Sequence, residues 1–198
     1  APPRVLFSAS AVGIYGDRPD EPVLDENSTV GTGFLADVGR IWEDSTRPAA
    51  EAGVRVINTR FGLVMSARGG VLPVLLPMFR LGLGAALGDG RQYWPWIAID
   101  DIPAAMLHAA RDETISGPVN FVAPQQVTNE EFTEELAAVA GRRSLLKVPA
   151  FAAKIAPGGM AEELLLSSAR VVPRKLLDSG FTFRYPELKP ALHALLKQ

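Results

Sequence analysis

Two short apolar runs, Val5–Ser8 and Val54–Thr59, stand on either side of a segment in which Leu35, Val38, Ile41 and Trp42 recur at helical spacing. That order of strand, helix and strand constrains the fold more than any other feature. A short apolar run bounded by turn residues reads as a buried strand, and a helix leading into a second such run is half of a βαβ unit. Gly39 lies on the helical stripe, where a small residue lets another backbone come close. Pro48 has no N–H to donate and should end or kink this helix, with Gly53 as its stop.

The pattern continues downstream. Gly69-Gly70 opens a Pro-interrupted apolar stretch, Val71–Leu83, which reads as a broken helix, and Gly82, Gly84, Gly88 and Gly90 make the next segment loop-like. Trp94–Ile99 and Val119–Val122 read as strands. Asp100 is placed to cap a helix over Ile102–Arg111, and Thr128 with Glu131 has the spacing of a capping box. Two amphipathic helices are expected near the end, Ala169–Ser179 stopped by Gly180, and Pro186–Lys197. Alternating strands and helices argue for an α/β fold.

Composition narrows the function. A formal charge of -2 gives no nucleic-acid surface, and the absence of cysteine excludes disulfides and thiolate zinc sites. His108 and His193 sit in apolar helical patterns and read as ordinary helix residues, so no metal site is expected. No segment reaches the ~18 apolar residues of a membrane span. The start, Ala-Pro-Pro-Arg, is no signal peptide, and a cytoplasmic protein without membrane partners is expected.

Candidate chemistry clusters where strands end. Ser8 and Ser10 lie at the end of the first strand, where α/β folds bind ligands. Ser10 could hydrogen-bond a substrate oxygen, or both serines could simply satisfy loop backbone groups. Arg91 and Gln92 occupy a Gly-flanked loop, and Arg offers a charged planar fork suited to phosphate. Arg60 follows a strand and could reach a ligand or pair with Asp100 or Asp101. Trp94 and Trp96 could stack on a ring or belong to the core.

The run Phe7-Ser8-Ala9-Ser10-Ala11-Val12-Gly13-Ile14-Tyr15-Gly16 resembles the strand-end motif of extended short-chain dehydrogenases. Further segments match in order: Asn58–Val64, Trp96–Ile102 and Gly117–Phe121 with Pro124, Val127 and Thr128. Phe34–Glu43, Gly90-Arg91-Gln92 and Gly180–Pro186 resemble the branch of nucleoside-diphosphate-sugar epimerase-like proteins. The resemblance implies a partial Rossmann-like parallel sheet with a small α-rich substrate-binding lobe. Residues 1–145 would form the C-terminal part of the dinucleotide domain, interleaved with lobe segments at about 69–99, and residues 146–198 a helical C-terminal domain. The cofactor would be NAD or, in preference, NADP, held by Ser8, Ala9, Arg60, Phe61, Gly62 and Leu63 together with an upstream Gly-rich region that this sequence lacks. A nucleotide-sugar or related small molecule would meet Ser10, Arg91, Gln92 and Trp96.

There are two departures from the family pattern. The sequence begins where the family's fifth strand would stand, so an exposed sheet edge and a possible homodimer are expected. The family's Tyr-x-x-x-Lys pair is missing: the matching helix offers Phe34 and Val38, or Leu35 and Gly39. Ser10, Tyr15 and Asp37 are then the catalytic candidates, although ordinary pKa values of about 4 for Asp and about 10 for Tyr make both poor bases unaided. The alternative is an inactive relative that senses dinucleotide or binds protein.

Overall fold

A computed structural model of the chain describes residues 3–20, 23–143, 146–148, 163 and 165–196. Part of the helical C-terminal domain expected over 146–198 therefore lies outside the described residues. The chain runs through β1 (Val5–Ala11), a 3-10 turn (Val12–Tyr15), α1 (Phe34–Asp44), α2 (Arg47–Glu51) and β2 (Arg55–Phe61). It continues through β3 (Leu63–Ser66), β4 (Gly69–Gly70), α3 (Val71–Arg80), β5 (Ala85–Leu87), β6 (Trp96–Ala98) and α4 (Asp101–Arg111). Then come β7 (Gly117–Phe121), α5 (Asn129–Val139), β8 (Leu146–Val148), α6 (Arg174–Asp178) and α7 (Leu188–Leu196).

The central sheet is parallel, in the order β1-β2-β7, with Ala11 opposite Phe61 and Phe61 opposite Phe121. Strand side chains alternate between faces, and here the two faces differ in kind. Ile57, Val119 and Phe121 pack on Ala105 and Ala109 of α4 and on Phe183. The other face carries Ser10, Arg60 and Asn120, all buried. Beside this sheet, β3 pairs with β6 in parallel and with β4 in antiparallel fashion, and β5 pairs with β8. A second core, with Met65, Leu72, Trp96, Phe132, Leu136 and Leu192, joins these elements to α5 and α7.

Several sequence expectations change at the level of single elements. Pro48 does not break α1, which ends at Asp44; it sits in the first turn of α2, where a missing N–H leaves no helical bond unmade. Val71–Arg80 is one helix, not a broken one. Pro73 lies in its first turn, and Pro77 costs only the bond to residue 73. Asp100 makes no capping bond to α4. Residues 169–172 are not helical, because Leu24 bridges to Val171 and Val172 N–H donates to the Leu24 carbonyl, which leaves α6 only Arg174–Asp178. The stripe expected to bury α1 faces outward at Ile41 and Trp42, and the buried positions are Ala36 and Gly39. A Cβ on Gly39 would stand 2.9 Å from Cβ of Ile14, so the glycine does set a close approach.

The capping box forms as expected. Thr128 Oγ1 accepts from Glu131 N–H, and the Glu131 carboxylate accepts from Thr128 N–H at 2.7 Å. Gly180 ends α6 at φ +80°, with Gly180 N–H on the Leu177 carbonyl and Phe181 N–H on that of Leu176. That pair of bonds is a Schellman closure and needs a left-handed residue. Gly180→Ala should therefore lower stability by about 1–2 kcal/mol, measured by urea unfolding; an unchanged midpoint would mean that the closure relaxes without loss.

Candidate functional site

The polar face of the sheet is organised around one buried ion pair. Arg60, on β2, donates from Nε and Nη2 to the two carboxylate oxygens of Glu43, on α1, at 2.7 and 2.8 Å. The side chains are 4% and 14% exposed. Ser10 Oγ donates to the same carboxylate at 2.8 Å, and Arg60 Nη1 donates to Tyr15 Oη at 2.9 Å. The Tyr15 hydroxyl has acceptors in Asn120 Oδ1 at 2.8 Å and the Asp25 carbonyl at 2.9 Å. Burial alone would lower the Arg60 value, but Glu43 and Tyr15 outweigh it and push it up. Burial pushes the Tyr15 phenol above its ordinary 10.0 despite Arg60.

Glu26 extends this layer. Its carboxylate accepts from Asn120 N–H at 3.0 Å and from Lys175 N–H at 3.3 Å, while Lys175 Nζ donates to the Ser116 carbonyl. Burial pushes Glu26 above its ordinary value and outweighs those bonds. Burial likewise lowers Lys175.

In front of the network, at the C-terminal ends of β1 and β2, lies a cleft of about 450 Å3. Crevices at such strand ends are where α/β folds take ligands. Ala11, Val12 and Gly13 form one wall and Phe61, Gly62 and Leu63 another. Leu35, Gly39 and Trp42 of α1 form a third, and Tyr93, Trp94 and Pro95 close it beside Ser167 and Ala169. Trp42 is 49% exposed, so the apolar side of α1 lines the cleft rather than the core. At its rim the Glu163 carboxylate accepts from Phe34 and Leu35 N–H at 3.1 and 3.0 Å, capping α1 where Gly33 offers no side chain. Gly62 holds β2 against the next segment; a Cβ there would stand 2.6 Å from the Pro95 carbonyl oxygen.

A second space of about 500 Å3 adjoins the cleft, and Asp17 lines both. It is polar, walled by Asp20, Asp89, Arg91, Gln92 and Ser168 as well.

The structure brings Phe61, Gly62 and Leu63 together on the cleft and Arg91 with Gln92 on the polar chamber. Ser10, Tyr15 and Arg60 are brought together too, but none of them lines the cleft: Ser10 and Arg60 meet on Glu43, and Tyr15 joins through Arg60. Arg60 pairs with neither Asp100 nor Asp101; Asp101 accepts from Arg184 and Tyr185 N–H, and Asp100 stands 3.8 Å from the Arg184 guanidinium. Ser8 and Ala9 lie within β1 and are not among the cleft residues. Asp37 is on the exposed side of α1, paired with Arg40 at 2.7 Å. Trp96 is fully buried, its indole N–H on the Gln125 carbonyl. Of the two possible helix registers, the one facing the cleft holds Leu35 and Gly39. Sequence reasoning passed over Glu43, Glu163, Asp17 and Trp42. Glu43 alone had a signal, since it stands one helical turn after Gly39 on the same buried side.

Comparison with known proteins places these features in a lineage. Residues 148–195 match a domain of unknown function, DUF1731. An epimerase family protein of Mycobacterium bovis is 44% identical over 187 residues, covering 94% of this chain and 62% of that protein. The crystal structure of human epimerase family protein SDR39U1 with NADPH superimposes with a TM-score of 0.89 at 31% identity, over 99% of this chain and 66% of that one. The chain belongs to the epimerase family of extended short-chain dehydrogenases. A family structure from Corynebacterium glutamicum, a nucleoside-diphosphate sugar epimerase, gives 42% identity and a TM-score of 0.80, over 98% of this chain and 37% of that one. The Thermus thermophilus UDP-glucose 4-epimerase, at 19% identity and a TM-score of 0.77, shares the fold. The chain spans a little under two thirds of the length of the curated relatives it matches first.

Two outcomes test the buried layer. Glu43→Gln leaves the Arg60 charge uncompensated and should cost roughly 3–5 kcal/mol in unfolding free energy; a loss well under that range would show that Arg60 finds another partner. For Glu26, the folded value is raised above the unfolded one, so its contribution is complete below about 4.5 and is lost as pH rises through the folded value. The stability of the native chain relative to Glu26→Gln should therefore fall as pH rises from 4 towards neutrality, in denaturant titrations across that range. A rising difference would mean that the two backbone donors outweigh burial.

Proposed function

We propose that this protein is an NAD(P)-dependent epimerase or reductase of the short-chain dehydrogenase type, with the nicotinamide end of the cofactor in the apolar cleft. The observation that carries this reading is the cleft itself: Phe61, Gly62 and Leu63 at the strand ends face Leu35 and Trp42 across a space sized for a flat ring. The NADPH bound to the human relative supports it. The nicotinamide supplies or accepts the hydride. The chain's own residues supply an apolar enclosure that keeps water from the reacting carbon. NADP is preferred, and the substrate is a nucleotide-linked sugar or a related polyol that enters beside Asp17.

Proton transfer needs a group other than the family's phenol and amine, because Leu35 and Gly39 occupy the cleft-facing register. Among the described residues lining the cleft, the titratable side chains are Asp17, Tyr93 and Glu163. Ser10 acts in this scheme as a positioning residue, through Glu43 and Arg60. The same missing pair favours a second reading, a dinucleotide-sensing relative without turnover.

Calorimetric titration of NADPH into this chain, and into a chain extended to the relatives' full length, tests the cofactor. Saturable binding by the extended chain, weakened about tenfold by Phe61→Ala, is the expected result. No heat from either chain would remove the cofactor from the reading. If binding holds, hydride exchange between the bound nicotinamide and sugar alcohols separates an enzyme from a sensor.

A further inference from the structure

We propose that the outer face of α3 is a docking surface that seats this protein on a bilayer carrying anionic headgroups. The surface lies apart from the candidate site, since no residue of α3 lines the cleft or the polar chamber beside it. It does not rest on the cofactor reading.

The helix is apolar on every side. Val71–Arg80 reads Val-Leu-Pro-Val-Leu-Leu-Pro-Met-Phe-Arg, with its one charged residue at the last position. Leu72 and Phe79 are buried, and Leu75 and Leu76 pack against the second core, which sets the inward side. Val74, Met78 and Leu81 follow at helical intervals on the opposite side. All three are exposed, Val74 at 69% and Leu81 at 74%, and so is Leu83 just past the helix end. A helix at the surface normally turns polar groups to water, and one that is apolar all round is normally covered. An exposed apolar patch of this kind marks a place where something docks.

Charge decides what docks. No Asp or Glu occurs between Glu51 and Asp89. Arg68 precedes α3 and Arg80 ends it, both exposed. Arg142 comes alongside from the segment after α5: its Nε donates to the Arg80 carbonyl at 2.9 Å. Arg143 follows, and both are exposed. Arg68, Arg80 and Arg143 have no carboxylate partner among the described residues. The acids of α5 are engaged elsewhere. Glu131, Glu134 and Glu135 line a space shared with α7, where Glu135 stands 3.6 Å from Lys189, and Glu130 sits against Gly90.

A second copy docked through the same face would bring these arginines onto their own counterparts, with no acid in that stretch to meet them. An anionic bilayer satisfies both features. The apolar side chains enter the headgroup layer, and the guanidiniums, always charged and forked, bond lipid phosphates at its surface. No helix among the described residues is long and apolar enough to cross a membrane, and docking of this kind needs none.

The test is co-sedimentation of a chain extended to the relatives' full length with two sets of vesicles, phosphatidylcholine alone and phosphatidylcholine mixed with phosphatidylglycerol. The protein should sediment with the mixed vesicles, and added salt should release it. The double variant Val74→Ser, Leu81→Ser should weaken that binding about tenfold or more. Arg68→Gln and Arg80→Gln should each weaken it about fivefold. All four positions are exposed, so the unfolding midpoints of these variants should match the native one, which separates a loss of binding from a loss of fold. No sedimentation with the mixed vesicles would overturn the proposal, as would equal binding to both compositions or binding that the double variant retains. A concentration-dependent dimer in sedimentation velocity that Leu81→Ser dissociates would assign the face to a second copy and overturn it too.

Discussion

The Arg60–Glu43 pair is the contact on which the arrangement of the site depends. It joins β2 to α1 through a layer from which water is largely excluded, and it enlists Ser10 and Tyr15 from β1 and the turn after it. An ion pair of this kind adds little net stability compared with an apolar substitute, but it tolerates little displacement, because either charge left alone is costly. That intolerance fixes the height of α1 over the sheet. The cleft walls from β1, β2 and α1 depend on it, since Gly39 can approach Ile14 only when the helix sits at that height.

Chemistry and structure have therefore exchanged places among the residues that the sequence singles out. The side chains with conspicuous polar groups, Ser10, Tyr15 and Arg60, are bound to one another on the buried face. The cleft is lined by Ala11, Leu35, Phe61 and Trp42. A strand alternates its faces, so Ser10 and Ala11 point oppositely, and one residue of register decides which of them meets a ligand. The sequence contains both residues, but only the sheet reveals which face α1 covers.

The parallel strands were legible because each is a short apolar run beside a turn, and the capping box and Gly180 because local bonds alone define them. The α1 stripe was misleading: Ile41 and Trp42 have core chemistry, but they face a cleft and solvent. Residues 169–172 carry an amphipathic pattern and yet extend, because Leu24 lies alongside and its backbone groups pair with theirs. Nor could the partner of Arg60 be read, since several acids were available and the choice required knowing the helix's height and rotation. What escaped the sequence was set by pairing across long separations.

The cap on α1 has a consequence for what the cleft admits. A helix start normally presents free amides and a partial positive charge to whatever approaches. Here the Phe34 and Leu35 amides are taken by Glu163, a residue 129 positions away in sequence. The opening therefore carries a side-chain carboxyl in the place where an approaching acceptor would otherwise meet those amides. A ligand that enters meets the apolar walls rather than the helix start, because both of those amides are already spent within the chain.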